Sequence, residues 1–181
     1  MPFACILNKF EWVLKVQINL PRLVLAKKMN KFFKAVLLTG LFAGTTDLVS
    51  AFVTVFIKSG KFPERMFNYI AGGALGLDTS LKGGVGVAFL GLFFHYFIAC
   101  SFTLFFFWVF PRVKVLRFNK YLVGMLYAVF VNCVMERLVL PLTPLGGGSF
   151  DLPQEYIGWV VFGVLFGIPI VVNTYKYYGV E

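Results

Sequence analysis

Four long apolar runs, separated by shorter polar stretches, dominate the hydrophobic pattern of the chain. They cover residues 35–57, 86–110, 121–140 and 156–175. Each is close to the roughly 20 residues that a helix needs to cross the hydrocarbon of a bilayer. A backbone in lipid must satisfy its own hydrogen bonds, so helices are the expected structure. The pattern therefore predicts an all-α, polytopic membrane protein with four transmembrane helices in a bundle.

The loop between the first two runs predicts one short additional helix. Four of its apolar residues share a helical face: Phe62, Met66, Tyr69 and Ile70. Pro63 suits the first position of this helix and Glu64 its first turn. Glycines at 72, 73 and 76 would end it. We expect this helix to lie at the outer interface or to dip into the bundle.

Residues 1–28 form a separate cytoplasmic region before the transmembrane domain of residues 29–178. Apolar residues from Phe3 to Leu14 recur at helical spacing, which is typical of an amphipathic helix on a membrane surface. Pro21 would end that helix. Met29, followed by basic residues and a span, is equally typical of a natural start, and residues 1–28 would then be an upstream extension. Both interpretations stay open.

The amino-acid composition agrees with a chain embedded in a lipid bilayer. Apolar residues make up 59%, charged residues 14%, and the mean hydropathy is +0.82, whereas a soluble domain has about 25% charged residues. This excludes a disordered chain or a disulfide-stapled module and argues against a soluble enzyme. The net charge of +9 comes from basic clusters between apolar runs. Such clusters suit anionic lipid headgroups at the cytoplasmic surface rather than nucleic acid.

The distribution of Lys and Arg predicts the orientation. With the N-terminus inside, twelve of these residues fall on the cytoplasmic side and five on the other. Positive residues are enriched in cytoplasmic loops, so we expect both termini in the cytoplasm. The last loop, residues 142–155, has two acids and no Lys or Arg, which fits an external position.

Four polar residues inside the apolar runs are the candidates for function: Asp47, His95, Asn132 and Glu136. An ionisable residue deep in a membrane is costly and is a functional candidate by default. At about 1.5 Å rise per residue, Asp47 and His95 lie roughly 15 Å below the outer end of their spans. Asn132 and Glu136 are four apart and share a helix face. We therefore predict one intramembrane polar cluster.

Two interpretations of this cluster stay open. A carboxylate beside an imidazole can hold or pass a proton. Alternatively, the polar groups attach helices to one another, with Asp47 protonated and capped by a threonine or a backbone carbonyl. Two small-xxx-small pairs, Gly40 with Gly44 and Gly163 with Gly167, predict close helix packing. Pro169 is expected to kink the fourth span and to free a carbonyl.

Motifs of known chemistry are absent from the sequence: there is no P-loop, HExxH, GxSxG or CxxC pair. A single histidine cannot form a multi-histidine metal site. The three cysteines, Cys5, Cys100 and Cys133, have no metal-like spacing and are interpreted as small buried hydrophobes. We therefore expect no catalytic residue, cofactor or metal, and a protein that is not an enzyme.

The polar segments resemble a known family. The run Gly40-Leu-Phe-Ala-Gly44-Thr-Thr-Asp47, the segment Gly91-Leu-Phe-Phe-His95 and the ending Val139-Leu-Pro-Leu142 are similar to the YagU-like small bacterial inner-membrane proteins. The resemblance covers roughly residues 29–178. It implies a four-helix protein of the bacterial inner membrane, and it implies no particular activity.

Two functions follow from the sequence. The first is movement of protons or small solutes through the Asp47–His95 centre, with several copies needed to form a pore because four helices enclose little space. The second is an accessory or structural role, in which the glycine-lined faces bind a membrane partner.

Overall fold

The computed structural model describes the backbone of residues 3–145 and 158–180, and the side chains of residues 27–145 and 158–180. Within these ranges the structure is helical and contains no strand. The helices are α1 (Phe3–Ser59), α2 (Met66–Leu75), α3 (Leu77–Leu81), α4 (Val85–Val109), α5 (Lys120–Val134), α6 (158–162) and α7 (Ile168–Tyr178). Two π-helical segments, Met135–Val139 and Gly163–Gly167, continue α5 and join α6 to α7.

In these ranges, four helical stretches are long and apolar enough to cross a membrane. They are span 1 (Lys27–Ser59), span 2 (Val85–Val109), span 3 (Lys120–Leu142) and span 4 (Gly158–Tyr178). The prediction of an all-α, four-span membrane protein is confirmed. Residues 156 and 157 of the predicted fourth run lie outside the described part.

The chain divides into two compact units, Met1–Ala35 and Val36–Glu181. Helix α1 passes through Pro21 without ending, so the prediction that this proline stops the helix is wrong. A proline removes one backbone hydrogen bond and bends a helix, but the bonds on both sides can continue. The predicted amphipathic face lies on side chains outside the described set, and the boundary at residue 28 stays a prediction.

Two short helices, rather than the one predicted, follow span 1. Helix α2 begins at Met66, so Pro63 is not its first residue; the Pro63 carbonyl instead accepts a turn hydrogen bond from the Met66 N–H at 3.1 Å. Gly76, with φ of +82°, separates α2 from α3.

The packed face of α2 overlaps only in part with the predicted apolar face. Phe62 and Tyr69 are 67% and 52% exposed, whereas the buried residues of α2 are Asn68, Ala71 and Gly72. The reason is that α2 lies very close to span 2. A Cβ on Gly91 of span 2 would collide with the Phe67 carbonyl of α2. Small residues fit this contact, and of the predicted apolar face Met66 and Ile70 are half-buried.

Aromatic and aliphatic side chains of spans 2, 3 and 4 fill one end of the bundle. We call this group the aromatic core: Phe106, Phe110, Tyr127, Ile170, Val171 and Tyr175. Ring centroids of Phe106 and Tyr127 lie 4.6 Å apart. The Tyr127 hydroxyl donates to the Phe102 carbonyl at 2.6 Å, and the Tyr175 hydroxyl donates to the Leu116 carbonyl at 2.6 Å.

The glycine pairs lie where neighbouring spans approach most closely. A Cβ on Gly40 would lie 2.9 Å from Cys100 Sγ, and one on Gly44 would lie 3.1 Å from Ala99 Cβ, both on span 2. In span 4, a Cβ on Gly163 would lie 2.5 Å from Met125 Sδ of span 3, and one on Gly167 would collide with the Gly124 carbonyl. All four glycines therefore serve contacts within this chain.

Candidate functional site

A cavity of about 350 Å³ lies at the end of the bundle away from the aromatic core. Spans 1 to 4 and α2 all contribute to its walls. The lining residues include all four predicted polar residues: Asp47, His95, Asn132 and Glu136. The structure therefore brings together side chains that are up to 89 positions apart in the sequence.

Different helices supply the polar side chains, and each is half-buried. Asp47 comes from span 1 and His95 from span 2, where the two groups are close enough to interact electrostatically. Asn132 lies in α5, and Glu136 follows in the π-helical segment of span 3. The depths counted along the sequence thus correspond to one shared level in the bundle.

A hydrogen bond to span 1 fixes the His95 ring. Its Nε2 atom lies 2.8 Å from the carbonyl oxygen of Gly44, one helical turn before Asp47. A carbonyl oxygen accepts but cannot donate, so Nε2 carries the hydrogen. The other ring nitrogen, Nδ1, therefore carries the lone pair of the neutral imidazole and can accept a hydrogen bond.

Tyr96 forms a second connection between spans 1 and 2. Its hydroxyl lies 2.9 Å from Thr45 Oγ1, and Thr45 Oγ1 lies 2.8 Å from the Leu41 carbonyl. A hydroxyl has one hydrogen, so Thr45 donates to Leu41 and accepts from Tyr96. The absence of a side chain at Gly44 allows this approach, since a Cβ there would lie 3.2 Å from Tyr96 Cδ1.

Thr46 connects span 1 to span 4. Its single hydroxyl hydrogen has three carbonyls within reach, those of Phe42 at 3.1 Å, Ala43 at 2.9 Å and Leu165 at 2.6 Å, and the shortest contact is to Leu165. That carbonyl belongs to the π-helical segment Gly163–Gly167 and lies four residues before Pro169, which has no N–H to donate. A carbonyl close to this proline therefore has a partner from another helix, and which carbonyl Pro169 frees stays a prediction.

The hydroxyl hydrogens of Thr45 and Thr46 are both directed at backbone carbonyls. Among the described residues, no hydrogen bond joins Asp47 to either threonine, so neither is the cap that we considered for a protonated Asp47. The threonines attach span 1 to its neighbours, while Asp47 lines the cavity.

Both π-helical segments contribute to the cavity walls, and each ends two residues before a proline. Met135 and Glu136 come from the segment before Pro141, and Phe166 comes from the segment before Pro169. A π-helical turn is wider than an α-helical turn and is frequent at functional sites. The rings of Phe162 and Phe166 stack at 4.7 Å with an interplanar angle of 11°.

Several contributors were not predicted from the sequence. Ile70 of α2 lines the cavity. Tyr96 and Thr46 hold span 1, which carries Asp47, against its neighbours. The position of Thr46 beside Asp47 was visible, and so was Pro169, which is expected to free a carbonyl. No local pattern, however, indicates that residues 119 positions apart form this bond.

Within residues 27–145 and 158–180, no three His, Cys, Asp or Glu side chains are grouped so that they could hold a metal ion. No protein-family model, curated protein or solved structure matches the chain. The geometry of the cavity is therefore the basis for a functional proposal, and the resemblance to the YagU-like family stays a prediction.

Proposed function

We propose that this integral membrane protein moves protons or small solutes, and that the cavity containing Asp47 and His95 is the site through which they pass. The observation that carries the proposal is the meeting of four polar side chains from three spans at one cavity. Exposing such groups to lipid is costly, and polar residues inside membranes typically line solute or proton pathways.

The alternative, that the polar groups only attach helices, fits one contact of His95, whose Nε2 atom bonds to the Gly44 carbonyl of span 1, but it has less support for Asp47. At this level of the bundle, the helices are already connected by Thr45, Thr46 and Tyr96, and by the Nε2 atom of His95. Asp47 and Asn132 are not needed for those connections and instead line an open volume. A carboxyl and an imidazole nitrogen beside that volume are suited to proton exchange.

An accessory role remains the second hypothesis. It relied on the glycine-lined faces as docking surfaces for a membrane partner. Gly40 and Gly44 pack on span 2, and Gly163 and Gly167 pack on span 3. The faces that suggested a partner are therefore occupied within the chain, which favours the transport proposal.

Passage across the membrane requires more than this cavity. The aromatic core fills the opposite end of the bundle, with Phe110 and Ile170 both fully buried. We propose that several copies of the chain, or a movement of spans 3 and 4 at their π-helical segments, open that end. We also propose cytoplasmic termini in a bacterial inner membrane, with basic clusters on anionic headgroups and the cavity in the outer half.

The proposal is tested by proton flux in liposomes that contain the purified protein and an internal pH-sensitive dye. We compare the wild type with Asp47→Asn and His95→Gln. Glutamine retains an N–H donor for the Gly44 carbonyl but does not titrate. Asp78→Asn changes an exposed acid of α3 and serves as the control.

We expect flux in the wild type and the control, and a loss of about tenfold or more in both cavity variants, which is typical when a proton-transfer group is removed. The melting temperature is measured in parallel to confirm folding. Absence of wild-type flux of protons and of co-tested small solutes would contradict the proposal, as would equal flux in all four proteins.

A further inference from the structure

We infer that the cavity binds a small organic cation, specifically a protonated amine carried on a compact apolar body. This inference rests on the proposed function, because it names the class of solute for the same cavity. Three features carry it: the charges that line the cavity, the aromatic character of its wall, and the placement of its acceptors on different helices.

Charge is the first feature. Among the described residues, the ionisable side chains that line the cavity are Asp47, Glu136 and His95. Two are acids, and Asn132 adds an amide oxygen as a further acceptor. Even beside a protonated His95, the acids outnumber the imidazole two to one, so the lining favours a cation, which would gain charge-assisted hydrogen bonds, over an anion.

The aromatic wall is the second feature. Phe102, Phe162 and Phe166 line the same volume as the acids, together with the aliphatic side chains of Ile98 and Leu140. The faces of aromatic rings attract cations within about 6 Å of their centroids. A hydrated inorganic ion gains little from such a wall. An amine with a hydrocarbon body would contact both the rings and the acids.

The third feature is the placement of the acceptors. Asp47 is carried by span 1, while Asn132 and Glu136 are carried by span 3. An ammonium group has three N–H donors and can bridge acceptors that belong to different helices. A ligand held in this way would connect spans 1 and 3 through the cavity.

Equilibrium binding tests the inference with three probes that share one ring but differ in charge: benzylammonium, benzyl alcohol and benzoate. Binding to the purified full chain in lipid nanodiscs is measured by calorimetry. The variants are Asp47→Asn and Glu136→Gln. Their matched controls are Asp78→Asn and Glu64→Gln, which alter exposed acids outside the four spans.

We expect benzylammonium to bind more tightly than benzyl alcohol, and benzoate to bind least. Asp47→Asn should weaken benzylammonium binding by about tenfold or more, as expected for loss of a hydrogen bond to a charged group. If Asp47→Asn does not fold, the benzylammonium affinity of Glu136→Gln provides the second test. Neither control variant should change the affinity.

Equal or tighter binding of the neutral or anionic probe would overturn the inference. So would equal loss in the control variants, or binding of sodium or magnesium ions by a cavity that leaves benzylammonium unbound. The binding measurement needs no proton gradient, so its result can reject one proposal without rejecting the other. Proton flux without amine binding rejects this inference alone, whereas amine binding without any flux rejects the proposed function.

Discussion

The two ends of this bundle use polar groups in opposite ways. In the aromatic core, the hydroxyls of Tyr127 and Tyr175 donate to backbone carbonyls, and the rings fill the space between spans 2, 3 and 4. At the other end, Asp47, Asn132 and Glu136 surround an open volume of about 350 Å³. The same helices thus form a filled core at one end and, at the other, a cavity whose mostly apolar wall carries the polar groups.

This difference separates residues that hold the fold from residues available for function. A buried side chain in a filled region makes many contacts, so its removal leaves a cavity that lowers stability. Removal of a polar side chain that already borders open space breaks fewer contacts. Stability should therefore be sensitive to changes in the aromatic core and tolerant of changes in the polar cavity.

Truncation of one residue at each end gives the largest expected difference. Ile170→Ala removes a side chain that is 0% exposed in the aromatic core, and we expect it to lower the free energy of unfolding by about 2 kcal/mol. Asn132→Ala removes a half-buried side chain from the cavity wall, and we expect a change below about 0.5 kcal/mol. Unfolding of the purified protein in mixed micelles measures both changes. Comparable losses in the two variants would contradict the distinction between the ends.

The contact between spans 1 and 4 gives a smaller effect. Thr46→Val removes the donor to the Leu165 carbonyl while nearly preserving side-chain shape. We expect a loss of about 1 kcal/mol, the typical size of a hydrogen bond between transmembrane helices. Thr54→Val is the matched control, because the Thr54 hydroxyl bonds within its own helix to Ser50.

A second substitution sharpens this test. Pro169→Ala restores an N–H that could serve the Leu165 carbonyl within span 4. In that background Thr46→Val should cost less than in the wild type, so the two changes should not be additive. If Thr46→Val lowers the free energy of unfolding equally in both backgrounds, the proline is not the reason for the Thr46–Leu165 hydrogen bond.

Much of this architecture could be predicted from the sequence, because lipid imposes simple rules. A run of about 20 apolar residues must be helical, and a fixed rise per residue places polar groups at a countable depth. That is why Asp47 and His95 could be assigned to one level. The counting says nothing about rotation around the helix axis, so it could not establish that both residues line the same cavity.

Other features could not be predicted from the sequence, for a related reason. In water, apolar residues mark the buried face of a helix, but in lipid they are also suited to the outer face. Helix α2 therefore buries Asn68, Ala71 and Gly72 most deeply, while Tyr69 stays 52% exposed. The π-helical segments depend on how prolines at 141 and 169 are accommodated between neighbouring helices, which is a property of the assembled bundle.

The central claim is that water and small cations reach the polar cavity but not the aromatic core. The most direct test is cysteine labelling in liposomes, in a background with Cys5→Ser, Cys100→Ala and Cys133→Ala. Asn132→Cys places a thiol at the cavity, and Val171→Cys places one at a position of the aromatic core that is 0% exposed. A trimethylammonium-bearing methanethiosulfonate should modify the first thiol and not the second, and should react faster than its sulfonate-bearing analogue. Equal labelling at both positions, or an unreactive thiol at residue 132, would contradict the account.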